Sequence, residues 1–535
     1  MHLSPRHFLT RAACAIAAVS ALVCTACGTS ADETVAEDGR PIVTIKVRRN
    51  AIDVPMAKTT YSASLEKACN CHIKWQEILD TAWDQQKAAS MAANDFPDIG
   101  LTLYDPADVS RYFSRFADLG KELDKMPNVK RFLEERPVAA KMARQDGVIR
   151  NLPSDRGKGY RVSATHMFIN KTWLDKLGLP MPTTWDELES TLEAFKTKDP
   201  NGNGKADEVP MNIHDVGFGL WSPLVLLNST GITTSYMGPS ASSQGMYVDN
   251  GTVKSYLTST ELRDVLTFLH GLVDKGLIPK DTFTRDGSQY ASQTIGDGKT
   301  ALTGVSFGWS TDSEYGALGK QYVAVPPLKQ HASDPDSKLK WDYSQDATEY
   351  AYAVTVRADT PNMDAVLAIV NAMYSPDLSV AGYFGSIPTF VTTDGKGTYT
   401  IDKAKAYAKY TDTRSIALQD RFGGYIPDSV TIVNDTNADY VTEANSAYDA
   451  AIANVDPVRD VVPIYVRPSS DETDQLSNNN TAIFNYVNNM LAKWVQSGGI
   501  EKEWDTYVEK VSEPSLGLKT NIEIWQRLYD KVSDQ

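Results

Sequence analysis

The sequence predicts an α/β protein of two lobes, each a helix-covered sheet assembled from discontinuous stretches of chain. Three observations carry this. Strand and helix patterns alternate from residue 41 onward, which implies parallel strands with covering helices. The C-terminal third carries amphipathic helical stripes instead. The 535 residues suffice for two or three domains, yet hold no repeat, low-complexity tract or long linker between independent beads.

Residues 42–47 read I-V-T-I-K-V, a β-rich run bounded by Pro41 and Asn50. A helix is expected around 58–68, a strand at 72–78, a helix at about 82–93 and a strand at 98–103. Ligands of such sheets bind beyond the carboxyl ends of the strands, so Asn50, Asp53, Tyr104 and Asp105 are rim candidates by position. Further on, P-T-T-W-D-E-L at 182–188 starts a helix. Thr184 and Glu187 read as a capping box, and Trp185, Leu188, Leu192 and Phe195 share one face, which assigns Trp185 to the core. Near the end, Ile483, Val487, Met490, Leu491 and Trp494 make a stripe closed by Gly498 and Gly499. Ile500, Trp504, Tyr507, Val508 and Val511 make the next.

The N-terminus reads as an export signal, residues 1–26. Arg6, His7 and Arg11 precede an apolar stretch at 12–23 that is too short to span a membrane stably. Small Ala26 followed by Cys27 is what lipoprotein processing requires, so Cys27 is the expected lipid anchor, with 27–40 as a polar, acidic tether to the outer face of the membrane. Cys24 stands where that motif usually carries Leu; as the anchor it would follow Val23, where a small residue is needed. Beyond Cys27 the only cysteines are Cys69 and Cys71. Export permits a disulfide, toward which the reading leans, while two thiols or a soft-metal pair stay open. A net charge of -15 disfavours a nucleic-acid partner. Ten Trp and 25 Tyr exceed the ordinary needs of a core and point to flat apolar platforms for a ligand.

Residues 199–210 read D-P-N-G-N-G-K-A-D-E-V-P. Side-chain oxygens fall at positions one, three, five, nine and ten (Asp199, Asn201, Asn203, Asp207, Glu208), Gly204 permits the sharp turn, and Lys205 at position seven offers its carbonyl. This is calcium-loop geometry; the bland alternative is a surface loop of turn-forming residues. Pro210 occupies the place of the usual bidentate Glu, so the chain must leave the loop extended. Nothing supplies an open coordination position beside a base, and the Ca2+ reads as structural.

Motifs that point toward an enzyme are weaker. Gly304-Val305-Ser306-Phe307-Gly308 matches G-x-S-x-G, but the only His after Ser306 is His331, too close in the chain for a hydrolase triad. Gly298-Lys299-Thr300 resembles the end of a P-loop, but Gln293 replaces the first glycine; it reads as a turn before a strand. A glycosidase carboxylate pair is the enzyme alternative, since its partners can lie far apart in sequence.

Taken together, several segments resemble the extracellular solute-binding proteins of ABC importers, the family that includes maltose-binding protein and the alginate-oligosaccharide-binding lipoproteins. They are Cys27; A-A-N-D-F-P-D-I at 92–99; M-F-I-N-K at 167–171 with W-L-D-K-L-G-L-P at 173–180; P-T-T-W-D-E-L; the calcium loop; G-K-T-A at 298–301 leading to Trp309; and A-V-T-V at 353–356 before a helix. The resemblance implies a type II periplasmic-binding-protein-like fold with a cleft between lobes, no catalysis, permease subunits as partners and a monomeric receptor. Lobe one would take 41–160 and 350–460, and lobe two 161–349 and 461–535; the stretch 386–462 departs from the pattern. It gives Asp199, Asn201, Asn203, Lys205, Asp207 and Glu208 the calcium-ligand roles, and Trp309 the role of stacking on a sugar. Trp221, Tyr350, Tyr383 and Phe384 are secondary stackers, and Arg421 joins the rim. The expected ligand is a neutral oligosaccharide, because no cleft cluster of Arg or Lys is discernible; a peptide or other small solute would use the same cleft.

Overall fold

The computed structural model describes residues 34–145, 147–158, 163–236, 240–343, 349–402, 404–405, 415–434 and 436–533. The signal segment and Cys27 lie outside the described residues. The expected alternation is present as strand Ile42–Arg49, helix Thr60–Cys69, strand His72–Leu79, helix Asp80–Ala92 and strand Ile99–Leu101. The first strand pairs in parallel with the other two. Glu349–Val356 and Asn151–Asp155 complete this five-stranded sheet. Gly100 lets the central strands close up: a Cβ there would stand 2.7 Å from Thr355 Oγ1. Cys69 and Cys71 are joined in a disulfide.

A second sheet orders Tyr322–Ala324, His166–Asn170, Thr303–Gly308 and Val209–Met211 side by side. Its flank is the helix Trp185–Thr197, whose Trp185, Leu188, Leu192 and Phe195 are all buried as the spacing required. Only half of the expected capping box forms. Thr184 receives the Glu187 N–H at 3.1 Å, but the Glu187 carboxylate receives Thr183 N–H at 2.8 Å instead of closing on Thr184. The C-terminal stripes lie on Ser470–Ser497 and Ile500–Val511, divided by Gly498 and Gly499, which both hold positive φ.

Apolar side chains gather around each sheet separately. The lobe-one core runs from Val43 to Leu152 and from Ala353 to Val430; the lobe-two core runs from Met167 to Trp341 and from Ala444 to Tyr529. The second core takes in side chains that precede the boundary expected at 460. Ala444, Tyr448 and Ala451 already belong to the second core, where Tyr448 stacks on Trp341 at 4.1 Å and its hydroxyl receives Met167 N–H at 3.0 Å. Within the stretch that departed from the pattern, Val391–Thr393, Thr398–Ile401 and Thr431–Val433 form a small sheet, whose Val391 and Tyr399, with adjacent Val430, pack in the lobe-one core.

Candidate functional site

Trp309 follows the carboxyl end of strand Thr303–Gly308, in the sheet of lobe two, yet packs against the core cluster of lobe one. It thus spans the junction between the lobes. The guanidinium of Arg156, from lobe one, lies 5.1 Å from the centre of its ring, and the His166 ring meets it in a T-shaped contact with centres 6.5 Å apart. His166 is fully buried with Nε2 2.9 Å from Asn445 Oδ1, and burial holds its pKa below the ordinary histidine value. Arg156 continues into lobe one, donating to the Tyr383 hydroxyl at 3.3 Å and reaching Asp420 at 3.5 Å. No sequence motif marked Arg156 or Asp420; both lie in segments without periodicity.

Trp221 also belongs to lobe two, and it is 45% exposed. Its indole N–H donates to the Ala164 carbonyl at 3.0 Å, which fixes the ring while leaving a face open. Its φ of 64° is in the left-handed region, a strained place for a bulky side chain.

The remaining candidates are placed otherwise. Tyr383 and Phe384 end a buried helix, Pro376–Phe384, and pack on each other at 4.7 Å inside the lobe-one core. Tyr104, expected at the rim, is 2% exposed and packs among Trp83, Phe96 and Phe116; a large ring at the end of a central strand finds its neighbours in the helices that cover the sheet. Asp105 caps the helix Pro106–Arg111 and pairs with Lys87 at 2.9 Å. Arg421 holds Asp80 at 2.9 Å, and Arg48 holds the same carboxylate at 2.7 Å. Burial pushes the Asp80 carboxyl up, but the two guanidinium groups outweigh it and keep the pKa below the usual range. Asn50 and Asp53 are exposed just past the first strand. Tyr350 lies in strand Glu349–Val356, with its side chain outside the described residues.

The G-x-S-x-G run is explained by packing. A Cβ on Gly304 would stand 2.5 Å from the Phe195 ring, and one on Gly308 would stand 2.6 Å from Glu314 Oε2. Ser306 is fully buried, its hydroxyl 2.7 Å from that of Tyr315, and His331 sits on an exposed turn. Ser306 also donates to Glu314 at 3.4 Å, but the His that the triad would need stands on that exposed turn.

In the loop at 199–210 the backbone wraps around its own side chains. Asp199 receives the N–H groups of Gly202, Asn203 and Gly204 at 2.9, 3.1 and 3.0 Å. Asn201 receives Asn203 N–H at 2.9 Å, and Asn203 receives Lys205 N–H at 2.8 Å. Gly202 and Gly204 hold positive φ, and the chain leaves extended through Pro210 in strand Val209–Met211. Among the described residues, no three His, Cys, Asp or Glu side chains group tightly enough to hold a metal by themselves. The fit depends on the mixed set. Glu208 Oε1 is buried without a hydrogen-bond partner, and its pKa is raised by burial and by the neighbouring Asp199 and Asp207 charges. An orphaned carboxylate oxygen beside two further acids and two turn-forming Asn is a donor set that suits a hard cation.

The profile of the bacterial extracellular solute-binding protein family matches residues 60–394, more than half of the chain, and the chain belongs to that family. Among solved structures it is similar to an HMO-binding, ABC-transporter-associated solute-binding protein of Bifidobacterium longum infantis, at 45% identity over 92% of this chain and 99% of that one, with a TM-score of 0.88. A second extracellular solute-binding protein, from Bifidobacterium longum subsp. infantis, is 42% identical over 93% of this chain and 99% of its own, with a TM-score of 0.89. The fructooligosaccharide ABC transporter substrate-binding protein FusA of Streptococcus pneumoniae is 25% identical across 87% of this chain and 86% of that protein. These neighbours share the two-lobed fold. Family and relatives alike are extracytoplasmic binding proteins of transporters.

Proposed function

We propose that this protein is the lipid-anchored receptor of an ABC importer, that it closes on an oligosaccharide without altering it, and that it hands the ligand to the permease. The observation that carries the reading is Trp309, an indole that leaves the sheet of lobe two and seats beside Arg156 of lobe one. A sugar presents an apolar C–H face to such a ring and its hydroxyls to the polar groups around it. A ligand that touches both lobes favours the closed state by its additional contacts there, and that shape is what a transporter distinguishes. The names carried by the relatives at 45% and 25% identity support an oligosaccharide as the ligand class.

Titration of the soluble chain from Thr29 onward against oligosaccharides and peptides, with product checked by chromatography, tests the reading. Binding without turnover supports it; turnover of any sugar assigns a glycosidase, and exclusive peptide binding removes the carbohydrate. The anchor is tested separately. Cys27→Ala should move the protein from the membrane to the soluble fraction at unchanged affinity, and a variant that stays in the membrane would assign the anchor to Cys24 or an uncleaved signal.

The loop at 199–210 is read as a structural Ca2+ site, with Asp199, Asn201, Asn203, Asp207 and Glu208 as side-chain ligands and Lys205 as a carbonyl ligand. When bound, the ion would supply charge compensation for three carboxylates and nothing catalytic.

A further inference from the structure

A pocket of about 310 Å³ opens between the helix Pro106–Arg111 of lobe one and the start of the helix Ser470–Ser497 of lobe two. Its wall includes Arg150, Asn151 and Tyr352 from lobe one and Arg467, Ser469 and Ser470 from the lobe-two side; it holds no acidic side chain and shares no lining residue with Trp309 or Trp221. Arg467 lies with its guanidinium 4.8 Å from the centre of the Tyr352 ring, and its Nε and Nη2 are buried without hydrogen-bond partners. Asn151 is 6% exposed, with Oδ1 buried and unpartnered and Nδ2 only 3.5 Å from the Tyr104 carbonyl. Arg150 spends its Nε on the Phe113 carbonyl at 3.0 Å. Of the acids in the first turns of that helix, Glu472 pairs with Arg527 and receives the Ser469 N–H, Asp474 pairs with Arg111, and Asp471 is exposed.

Two unpaired N–H groups on a buried cation are costly, and so is an unpaired amide oxygen. The Nε and Nη2 edge of a guanidinium matches the two oxygens of a carboxylate. The orphaned acceptor on Asn151 calls in addition for a hydroxyl donor. We propose that this pocket takes a carboxylate-bearing sugar unit, its carboxylate on Arg467 and a hydroxyl donating to Asn151, so that an acidic residue at one end of a ligand bridges the lobes. It rests on the oligosaccharide-receptor reading above, departs from the expectation of a neutral ligand, and does not need the stacking role of Trp309.

Thermal unfolding of the full soluble chain at constant ionic strength, with sodium glucuronate, sodium acetate or glucose added, tests it. Glucuronate should raise Tm by about 2 °C or more, acetate by less, and glucose not at all. Arg467→Gln should abolish the rise, Arg150→Gln should reduce it, and Trp309→Ala should keep it. An equal response to glucuronate and glucose, or a full response in Arg467→Gln, overturns the site; acetate matching glucuronate removes the hydroxyl contact with Asn151. Should Arg467→Gln fail to fold, an undiminished rise in Arg150→Gln overturns the site equally.

Discussion

The two lobes differ in the chemistry found near their strand ends. Lobe one ties its charges to one another: buried Arg49 to Glu77 at 2.5 Å, Arg48 and Arg421 to Asp80, and, from the covering helices, Lys87 to Asp108 at 2.6 Å. Lobe two presents rings, with Trp309 at a strand end and Trp221 half exposed. Paired ions hold their own side chains in fixed directions, whereas an indole gives area with little directional demand. In lobe two the loop at 199–210 enters the sheet at Val209, paired with Thr303, while Trp309 follows the other end of that strand, roughly 20 Å away at 3.3 Å per residue.

The largest effect that would sharpen this contrast is metal removal. An ion held at a thousand times its Kd stabilises the native state by about 4 kcal/mol, so chelator should lower Tm by the corresponding amount, with Glu208→Gln already low and insensitive to it. Ligand affinity, measured below the new Tm, should stay within a factor of about two, because the loop and Trp309 sit at opposite ends of the strand. A melting curve indifferent to chelator, with no metal in the purified protein, removes the site. A large loss of affinity on chelation breaks the separation of stability from binding.

The next effect is pH-dependent and also belongs to lobe two. Asp342 is fully buried; its Oδ1 receives Thr234 Oγ1 at 2.8 Å and Tyr236 N–H at 3.0 Å, while Oδ2 has no partner. Burial pushes its pKa up from 3.8 to about 6. The native state therefore binds the proton more tightly than the unfolded chain, and stability falls as pH rises from about 4 through 6, by up to roughly 3 kcal/mol at neutral pH. Asp342→Asn keeps the oxygen that accepts those two bonds and cannot ionise, so its Tm should gain on the wild type as pH rises from 4 to 7. A constant difference across that range would remove the buried acid from the account.

Much of lobe one was legible in sequence because its strands and helices announce themselves by period, and the order of elements from Ile42 to Leu101 follows that pattern. The turn geometry of the loop at 199–210 was legible because its hydrogen bonds are local. The cleft was not. Arg156 meets Trp309 only after the chain has crossed between lobes, and Arg467 meets Tyr352 across more than a hundred residues, so no window of sequence contains either pair. Tyr104 and Tyr383 were misplaced for a related reason: position beyond a strand end locates the backbone, while burial of a ring depends on helices supplied from elsewhere.

Binding itself separates the faces further. Trp309→Ala should cost about 2 kcal/mol or more of oligosaccharide affinity, the range of a buried aromatic anchor, if its ring meets the ligand. Because that ring also contacts the lobe-one core, calorimetric unfolding must accompany the titration. An early melt with normal affinity among folded molecules would make Trp309 an interlobe packing residue and leave lobe two with Trp221 alone.

The smallest expected effect, and the cleanest, is at Trp221. Its ring is 45% exposed, outside the core clusters, and held by one hydrogen bond to a backbone carbonyl, so truncation removes little packing. Trp221→Ala should therefore leave Tm nearly unchanged and cost about 1 kcal/mol of affinity, the range for one aromatic contact beyond area burial. Trp221→Tyr should recover part of that loss, since a smaller ring still offers a face but lacks the indole N–H that reaches Ala164. The strained φ of 64° persists in both variants, which keeps the comparison on the side chain. An affinity unchanged in Trp221→Ala would mean that the strain serves the turn and not the ligand, and the division between an ionic lobe and an aromatic lobe would then stand on Trp309 alone.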